Sequence, residues 1–220
     1  MRQKDRPSYR QGLDFNPFES RRIHLIHGIH TDEKDDTVAK LAPYLWETTG
    51  IPVVYHRYGY ALAITSRFLN PGRAKKIAKD VGPHDILVGH SNGCTLAWMI
   101  ATEYYKKVHG MAFINPTFTG GAVLINPALD SDKEFPEGMA FVHVYYNEDD
   151  GAVPWSKLLW AHPWGDMGQV GYEGSNPIVK NFDCKRVDGM PQVRGHSAIF
   201  EDKNLQAWGP FIGQQIQKEV

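Results

Sequence analysis

Short apolar runs alternate with longer segments of helical periodicity along this chain of 220 residues. Runs rich in β-branched and aromatic residues predict strands, and apolar residues that recur every three or four positions predict helices. The predicted strands cover residues 22–27, 51–55, 86–88, 121–126, 140–146 and 181–187, with 111–115 as a less favoured alternative to 121–126. The predicted helices lie near 35–48, 73–79, 94–107 and 202–218. This alternation indicates the α/β class.

Two of the predicted helices contain residues that interrupt helical structure. In the helix near 35–48, one face collects the apolar residues Val38, Leu41, Ala42, Leu45 and Trp46. Proline lacks the backbone N–H and clashes with the preceding turn, so Pro43 is expected to kink or shorten this helix. For the same reason the terminal helix is expected to break at Gly209-Pro210.

The strongest chemical signal is the sequence Gly89-His-Ser91-Asn-Gly93, which directly follows the apolar run 86–88. Gly-x-Ser-x-Gly between a strand and a helix is the pattern of a nucleophile elbow, a sharp turn that exposes a serine in a strained backbone conformation. Gly89 and Gly93 are needed because a Cβ at either position would collide across the turn. Ser91 is therefore the candidate nucleophile.

A serine nucleophile needs a base and a carboxylate, and candidates for both follow later in the chain. The strand predicted at 140–146 leads into the acidic residues Glu148, Asp149 and Asp150. Taken alone, this trio is more typical of a solvated turn, but its position between Ser91 and a later histidine favours a catalytic acid. His196 is the one histidine well after these residues in a context suited to catalysis, and an imidazole can both accept and return a proton near neutral pH.

In its elbow, and in the order serine, carboxylate, histidine, the chain resembles the α/β-hydrolase superfamily over roughly residues 20–218. The resemblance implies a small, single-domain member that is similar to serine esterases and lipases. Its sheet is expected to be mostly parallel and flanked by helices, with the serine site at the carboxyl ends of the strands. Many members carry the acid in an Asp-x-x-Val-Pro loop, which here selects Asp150 over Asp149 by register. His196, with a glycine before it and a helix after it, matches the family's base.

The same resemblance implies an oxyanion hole at His27-Gly28-Ile29, where a β-rich run ends in His-Gly. Its two donors are expected to be the backbone amides of Ile29 and of Asn92, the residue after the nucleophile. A rival interpretation is a metal site, because His24, His27 and His30 recur every three residues. Alternate residues of a strand face opposite sides, however, so His24 and His27 are not expected to converge, and we expect no metal and no cofactor.

A Trp- and Gly-rich segment at 155–177 separates the acid from the base. It is too rich in glycine for a long helix, so we expect an ordered loop excursion and only a short lid. Its indoles either pack the loop down or form an aromatic wall for the substrate. The candidate substrate-pocket residues are His27, His30, His90, Trp155, Trp160 and Trp164.

Composition limits the remaining possibilities. The formal net charge is −1, which gives no reason to expect nucleic acid or an anionic membrane as a partner. The two cysteines and the lack of an apolar leader or an 18-residue apolar run predict a cytoplasmic protein. We expect residues 1–20 to form a polar arm and 21–220 one domain, whereas the oligomeric state stays open.

These observations predict a hydrolase that cleaves a small-molecule carboxylic ester through an acyl-enzyme, without a cofactor. Amide, thioester or polymer cleavage by the same triad remains an alternative, because fold alone does not choose among them. A hydrolase-fold module that binds a ligand without turnover is a second alternative.

Overall fold

One parallel sheet runs through the protein. The computed structural model describes residues 21–29, 37–58, 63–110, 116–151 and 165–220. Six strands lie in the order β2-β1-β3-β4-β5-β6, and each neighbouring pair is parallel. The strands are β1 (Ile23–Ile26), β2 (Val53–His56), β3 (Ile86–His90), β4 (Gly121–Ile125), β5 (Phe141–Tyr146) and β6 (Val179–Asp183).

Helices cover both faces of this sheet. They are α1 (Ala42–Thr49), α2 (Ala63–Ala78), α3 (Asn92–Met99), α4 (Tyr105–His109), α5 (Met167–Val170) and α6 (Asp202–Gln217). A π-helical turn (Ile100–Tyr104) joins α3 to α4, and 3-10 turns at Val38–Leu41 and Ala198–Phe200 precede α1 and α6. The predicted α/β class, with a mostly parallel sheet flanked by helices, is confirmed. Within the described residues, no helix has both the length and the apolar character needed to cross a bilayer.

Alternation along the strands divides the core into two layers. Leu87 in β3 and Leu124 in β4 pack on one face with α2, α3 and α4, whereas Val88 and Val123 pack on the other with α1 and α6. Strands that are buried on both faces read as continuous apolar runs, as those at 86–88 and 121–125 do. Each aliphatic side chain buried in this way contributes about 1.5–3 kcal/mol.

The strand order also determines where a site can form. The chain passes from β1 outward to β2 and then returns to the other side of β1 as β3, so the direction of winding reverses between β1 and β3. Ile26 at the end of β1 lies opposite Gly89 in β3. In open α/β sheets, ligands bind in the crevice outside the carboxyl ends of the strands at such a reversal. His27-Gly28 and Ser91 follow these two strand ends.

The helix predicted near 35–48 differs in detail from the structure. The α-helix begins only at Ala42, so it is shortened rather than kinked, and Pro43 lies in the first turn of α1, where its missing N–H needs no intrahelical acceptor. Val38, Leu41 and Leu45 are buried as predicted, but Trp46 is 45% exposed and so was wrongly placed on the apolar face.

Other helix and strand boundaries also differ from those predicted. The helix predicted at 73–79 begins ten residues earlier, at Ala63, and contains Pro71. The helix predicted at 94–107 extends from Asn92 to His109, with the π-helical turn inside it. The last strand lies at Val179–Asp183 rather than at 181–187. A central strand was predicted at 121–126 in preference to 111–115, and β4 lies at Gly121–Ile125. Residues 111–115 lie outside the described residues.

The predicted break at Gly209-Pro210 is wrong, because α6 is continuous through both residues. Gly209 instead allows a close helix–helix contact, since a Cβ there would lie 2.6 Å from Cγ of Tyr44 in α1. One turn later, a Cβ on Gly213 would lie 2.7 Å from Cβ of Thr48. These glycines therefore bring α6 against α1 rather than ending the helix.

Candidate active site

Ser91 occupies a strained turn between β3 and α3. Its backbone has φ 55° and ψ −123°, a conformation that non-glycine residues rarely adopt. Two hydrogen bonds hold the turn, from the Ser91 amide to the Ile125 carbonyl at 3.0 Å and from the Cys94 amide to the Ser91 carbonyl at 3.0 Å. Strain of this kind costs about 1–3 kcal/mol and persists only where the surrounding fold imposes it.

The two glycines of the elbow have no room for a side chain. A Cβ on Gly89 would lie 2.6 Å from the amide nitrogen of Cys94, across the turn. A Cβ on Gly93 would lie 2.1 Å from the carbonyl oxygen of Ile26, because α3 begins directly against the end of β1. The sequence spacing is therefore explained by backbone contacts on both sides of Ser91.

Asp150 and His196 form a hydrogen-bonded pair at the carboxyl edge of the sheet. Asp150 follows β5 and is 1% exposed, and its Oδ1 and Oδ2 lie 2.9 and 2.8 Å from His196 Nδ1. An ionised carboxylate only accepts hydrogen bonds, so Nδ1 carries the proton and donates it to Asp150. The neutral ring then keeps its lone pair on Nε2. Asp149, by contrast, contacts Lys185 and Arg194 at the surface.

Two asparagines that the sequence did not indicate hold this pair. Asn126, directly after β4, has φ 46° and donates from Nδ2 to Asp150 Oδ2 at 3.2 Å. Asn147 accepts the Asp150 amide at 2.9 Å through its carbonyl and donates from Nδ2 to the Gly195 carbonyl at 3.4 Å. Asn147 thus joins the acid loop to the histidine loop. The available signal was an Asn at the end of a strand, a residue that tolerates the left-handed conformation.

The loop after β1 packs against the elbow. A Cβ on Gly28 would lie 3.1 Å from Cβ of Ser91, so a larger residue there would press on the serine. Ile29 follows at the end of the described stretch 21–29. Asn92 is the first residue of α3, and the first amides of a helix have no intrahelical acceptor. Gly28, the residue before Ile29, thus lies against Ser91, and Asn92 follows Ser91 directly in the chain; the role of the two amides as donors stays a prediction.

His90 lies between the elbow and the histidine loop. It is buried, its Nε2 lies 3.1 Å from the His196 carbonyl oxygen, and the two rings are 4.9 Å apart. A carbonyl only accepts, so Nε2 donates and Nδ1 is left to accept the Thr37 hydroxyl at 3.4 Å. Burial, followed by the charge of His196, lowers the pKa of His90 to about 3. His90 is therefore neutral beside His196.

Ser91, Asp150 and His196 lie at the carboxyl edge of the sheet, and their roles as nucleophile, acid and base stay predictions. Ser91 is 8% exposed, and its hydroxyl forms no hydrogen bond to another described residue. Catalytic hydrogen bonds between a serine and its base are often long or poorly aligned before substrate binds.

The candidate pocket residues fall into two groups. His27 and His90 are both buried at this edge, and their assignment to a substrate pocket stays a prediction. His30, Trp155, Trp160 and Trp164 lie outside the described residues, as does the arm 1–20. Within the Trp- and Gly-rich segment, the structure describes residues 165–177. This part packs at the ends of β4 and β5, where the Gly168 amide donates to the Pro127 carbonyl at 2.9 Å.

The metal alternative can be examined for two of its three histidines. His24 is buried in β1, where Nε2 lies 2.7 Å from Asp85 and Nδ1 lies 2.7 Å from His56. Both ring nitrogens of His24 are thus occupied, and His27 has its own partners in the next loop. Among the described residues, no group of three or more His, Cys, Asp or Glu side chains is placed to hold a metal ion. His30 is not among those residues.

No protein-family model matches this sequence, and no curated protein sequence matches it. The fold does match solved structures. A protein of the alpha/beta hydrolase superfamily from Xanthomonas campestris pv. campestris is 15% identical with a TM-score of 0.52, and the match covers 90% of this chain and 98% of that one. A thermophilic esterase from Thermogutta terrifontis with bound propionate is 14% identical with a TM-score of 0.54, covering 94% and 86%. At such identities the likeness is one of fold.

Proposed function

We propose that this chain, which has the α/β-hydrolase fold, is a serine hydrolase that cleaves small carboxylic esters. The solved structures similar to it include hydrolases and esterases, but their low identity leaves the reaction to be argued from the residues of this chain. Three of those residues carry the proposal: Ser91 as nucleophile, His196 as base and Asp150 as the orienting acid.

The proposed reaction begins with proton transfer from Ser91. Because Asp150 accepts the Nδ1 proton of His196, the lone pair on Nε2 is available to take the Ser91 proton as Oγ attacks the ester carbonyl. The imidazolium then returns that proton to the leaving alkoxide, and an acyl-enzyme remains on Ser91. Water attacks the acyl group in a second cycle with the same proton transfers, which releases the acid and restores the serine.

The tetrahedral intermediate carries a negative oxygen that needs donors. We assign the Ile29 and Asn92 amides to this role, each worth about 3–4 kcal/mol in the transition state. Asn92 also begins α3, so the positive end of the helix dipole faces the same charge.

The observation that carries the proposal is the hydrogen bond of His196 Nδ1 to the buried Asp150 at 2.8 Å. A buried carboxylate that fixes the tautomer of a partly exposed histidine is unnecessary for binding alone. It has a direct use where the other ring nitrogen must act as a base. This argument favours an enzyme over a hydrolase-fold module that binds without turnover.

The proposal is tested by replacing the nucleophile. Ser91→Ala is expected to lower turnover of p-nitrophenyl butyrate by several orders of magnitude, to a residual rate that comes from binding and the oxyanion hole. Ser131→Ala is the matched control, because Ser131 is also 8% exposed and its hydroxyl donates to Glu173 at 2.7 Å, away from the elbow. A folded Ser91→Ala protein with the wild-type rate would overturn the proposal.

The same wild-type protein identifies the bond that is cleaved. p-Nitrophenyl esters of increasing acyl length are compared with an acyl thioester and a peptide anilide under one set of conditions. The proposal expects kcat/KM to be highest for an ester. A higher value for the thioester or the anilide would retain the triad and change the substrate class.

A further inference from the structure

Tyr58 lies beside the proposed oxyanion hole. It follows β2 by two residues and is partly buried next to the loop after β1. Its hydroxyl donates to the His27 carbonyl and also lies 3.1 Å from the Gly28 carbonyl oxygen. Its ring stacks on the His27 ring with centroids 3.9 Å apart and planes at 9°. Both the ring and the hydroxyl of Tyr58 therefore contact the His27-Gly28 turn.

The His27 side chain also contacts the Gly28 carbonyl. Its Nδ1 lies 2.6 Å from the Gly28 carbonyl oxygen, and the Tyr58 amide reaches Nε2 at 3.4 Å. Since the amide donates and the carbonyl accepts, Nδ1 carries the proton and Nε2 the lone pair. The Gly28 carbonyl thus accepts from His27 Nδ1, and the single Tyr58 hydroxyl proton is shared between the His27 and Gly28 carbonyls.

The direction of the Gly28 carbonyl determines the direction of the Ile29 amide. The two groups belong to one planar trans peptide, in which C=O and N–H point in opposite directions. A carbonyl held by His27 and Tyr58 therefore turns the Ile29 N–H away from them. Preorganised donors of this kind stabilise a transition state because they need no reorientation as the charge develops.

Asn92, whose backbone amide is the second proposed donor, is held by side-chain contacts of its own. Burial raises the pKa of Tyr58, and a hydrogen bond with the Asn92 side chain and the charge of Arg73 oppose that rise. Asn92 is fully buried and forms a reciprocal amide pair with Asn70 in α2, at 2.8 and 3.2 Å. Asn92 is thus fixed at the start of α3, where its backbone amide is the other expected donor.

We propose that Tyr58 is the positioning residue of the oxyanion hole, because its ring and hydroxyl fix the His27-Gly28 turn and, with it, the Gly28-Ile29 peptide. This inference rests on the proposed serine hydrolase function. It assigns no contact between Tyr58 and the substrate. The phenol acts through the Ile29 backbone amide, so its loss should be felt where charge develops on the carbonyl oxygen and not in substrate binding.

The test uses Tyr58→Phe, which removes the hydroxyl and keeps the ring on His27. Three quantities are measured: kcat/KM for p-nitrophenyl butyrate, and the inhibition constants of propyl trifluoromethyl ketone and of butyramide. The ketone forms a tetrahedral adduct with a charged oxygen, whereas butyramide reports ground-state binding. We expect kcat/KM and ketone affinity to fall together by about 10–100-fold, less than the loss of a whole donor, with butyramide affinity nearly unchanged.

The matched control is Tyr172→Phe. Tyr172 is also buried, and its hydroxyl accepts the Asn176 amide at 3.1 Å, but it lies outside the proposed hole. We expect all three constants to stay near wild type even if this protein melts earlier. A role of Tyr58 in stability alone would give Tyr58→Phe the same profile as this control.

A second variant keeps the inference testable if Tyr58→Phe does not fold. His27→Phe retains an aromatic ring against Tyr58 and removes the Nδ1 donor, so the same paired losses are expected. Wild-type ketone affinity in either folded variant would overturn the inference, as would an equal loss for ketone and butyramide. Such a result with an inactive Ser91→Ala protein would refute only the role of Tyr58. An active Ser91→Ala protein would instead refute the proposed function.

Discussion

Asp150 and Asp149 are adjacent carboxylates with opposite surroundings, so a pair of substitutions to Asn tests the proposed acid. Asp150 is buried against His196, whereas the Asp149 side chain is 41% exposed and lies 3.1 Å from Lys185. Exposed ion pairs of the second kind contribute about 0–1 kcal/mol. Asp149→Asn should therefore leave kcat within about two-fold of wild type.

The magnitude for Asp150→Asn follows from its neighbours. Asn126 donates to Oδ2, so the amide oxygen of the new side chain is expected at Oδ2, 2.8 Å from His196 Nδ1, and its NH2 at Oδ1, 2.9 Å from the same nitrogen. The NH2 group favours the tautomer whose proton is on Nε2, which cannot act as a base, and the neutral amide oxygen is a weaker acceptor for the Nδ1 proton than the carboxylate it replaces. Loss of the productive tautomer costs on the order of 10²–10⁴-fold in kcat, or about 3–5 kcal/mol.

Both variants are assayed with p-nitrophenyl butyrate after thermal unfolding has shown that they fold. The expected result is a loss of at least about 10²-fold for Asp150→Asn and almost none for Asp149→Asn. If Asp149→Asn were the more damaging change, the acid would be Asp149 and the register used here would be off by one residue. Wild-type rates for both variants would remove the carboxylate from the mechanism.

Three further predictions concern stability and metal dependence. Burial lowers the pKa of His143 from 6.5 to about 4. Between these two pH values the native state binds fewer protons than the unfolded chain, so the free energy of unfolding should fall as the pH drops from 6.5 towards 4. Urea unfolding should show a steeper loss, up to about 3 kcal/mol, in wild type than in His143→Phe, and equal slopes would contradict this. Gly93→Ala should destabilise the fold by about 1–3 kcal/mol or more, because the new Cβ would lie 2.1 Å from the Ile26 carbonyl oxygen. Unchanged urea unfolding of this variant would refute that steric argument. Turnover of p-nitrophenyl butyrate should survive EDTA, whereas loss on chelation with rescue by one metal would favour a site of His24, His27 and His30.

Local signals in the sequence predicted the elbow well. Gly89, Ser91 and Gly93 sit within five residues, and the close contacts that exclude a Cβ at both glycines arise from the turn itself and the adjacent strand end. The acid and the base could be ordered along the chain from the family resemblance. Their hydrogen bond depends on β5 lying beside β4 and β6, which is a property of the whole sheet.

Predictions failed where long-range packing overrides local propensity. Gly209 looked like a helix breaker, but its missing side chain lets α6 pack against Tyr44. The supporting residues Asn126, Asn147 and Tyr58 could not be identified for a related reason. Each bonds a group from another segment of the chain, for example Tyr58 to a carbonyl 31 positions earlier, and such pairs leave no spacing in the sequence.

Covalent labelling of the wild-type protein tests the central claim most directly. A fluorophosphonate reacts quickly only with a serine that a neighbouring base has activated. Peptide mass spectrometry is expected to find one adduct on Ser91, formed at least about 10²-fold more slowly in His196→Ala. A Ser91 that stays unlabelled in wild type, or that is labelled at the same rate without His196, would contradict the proposed serine hydrolase mechanism.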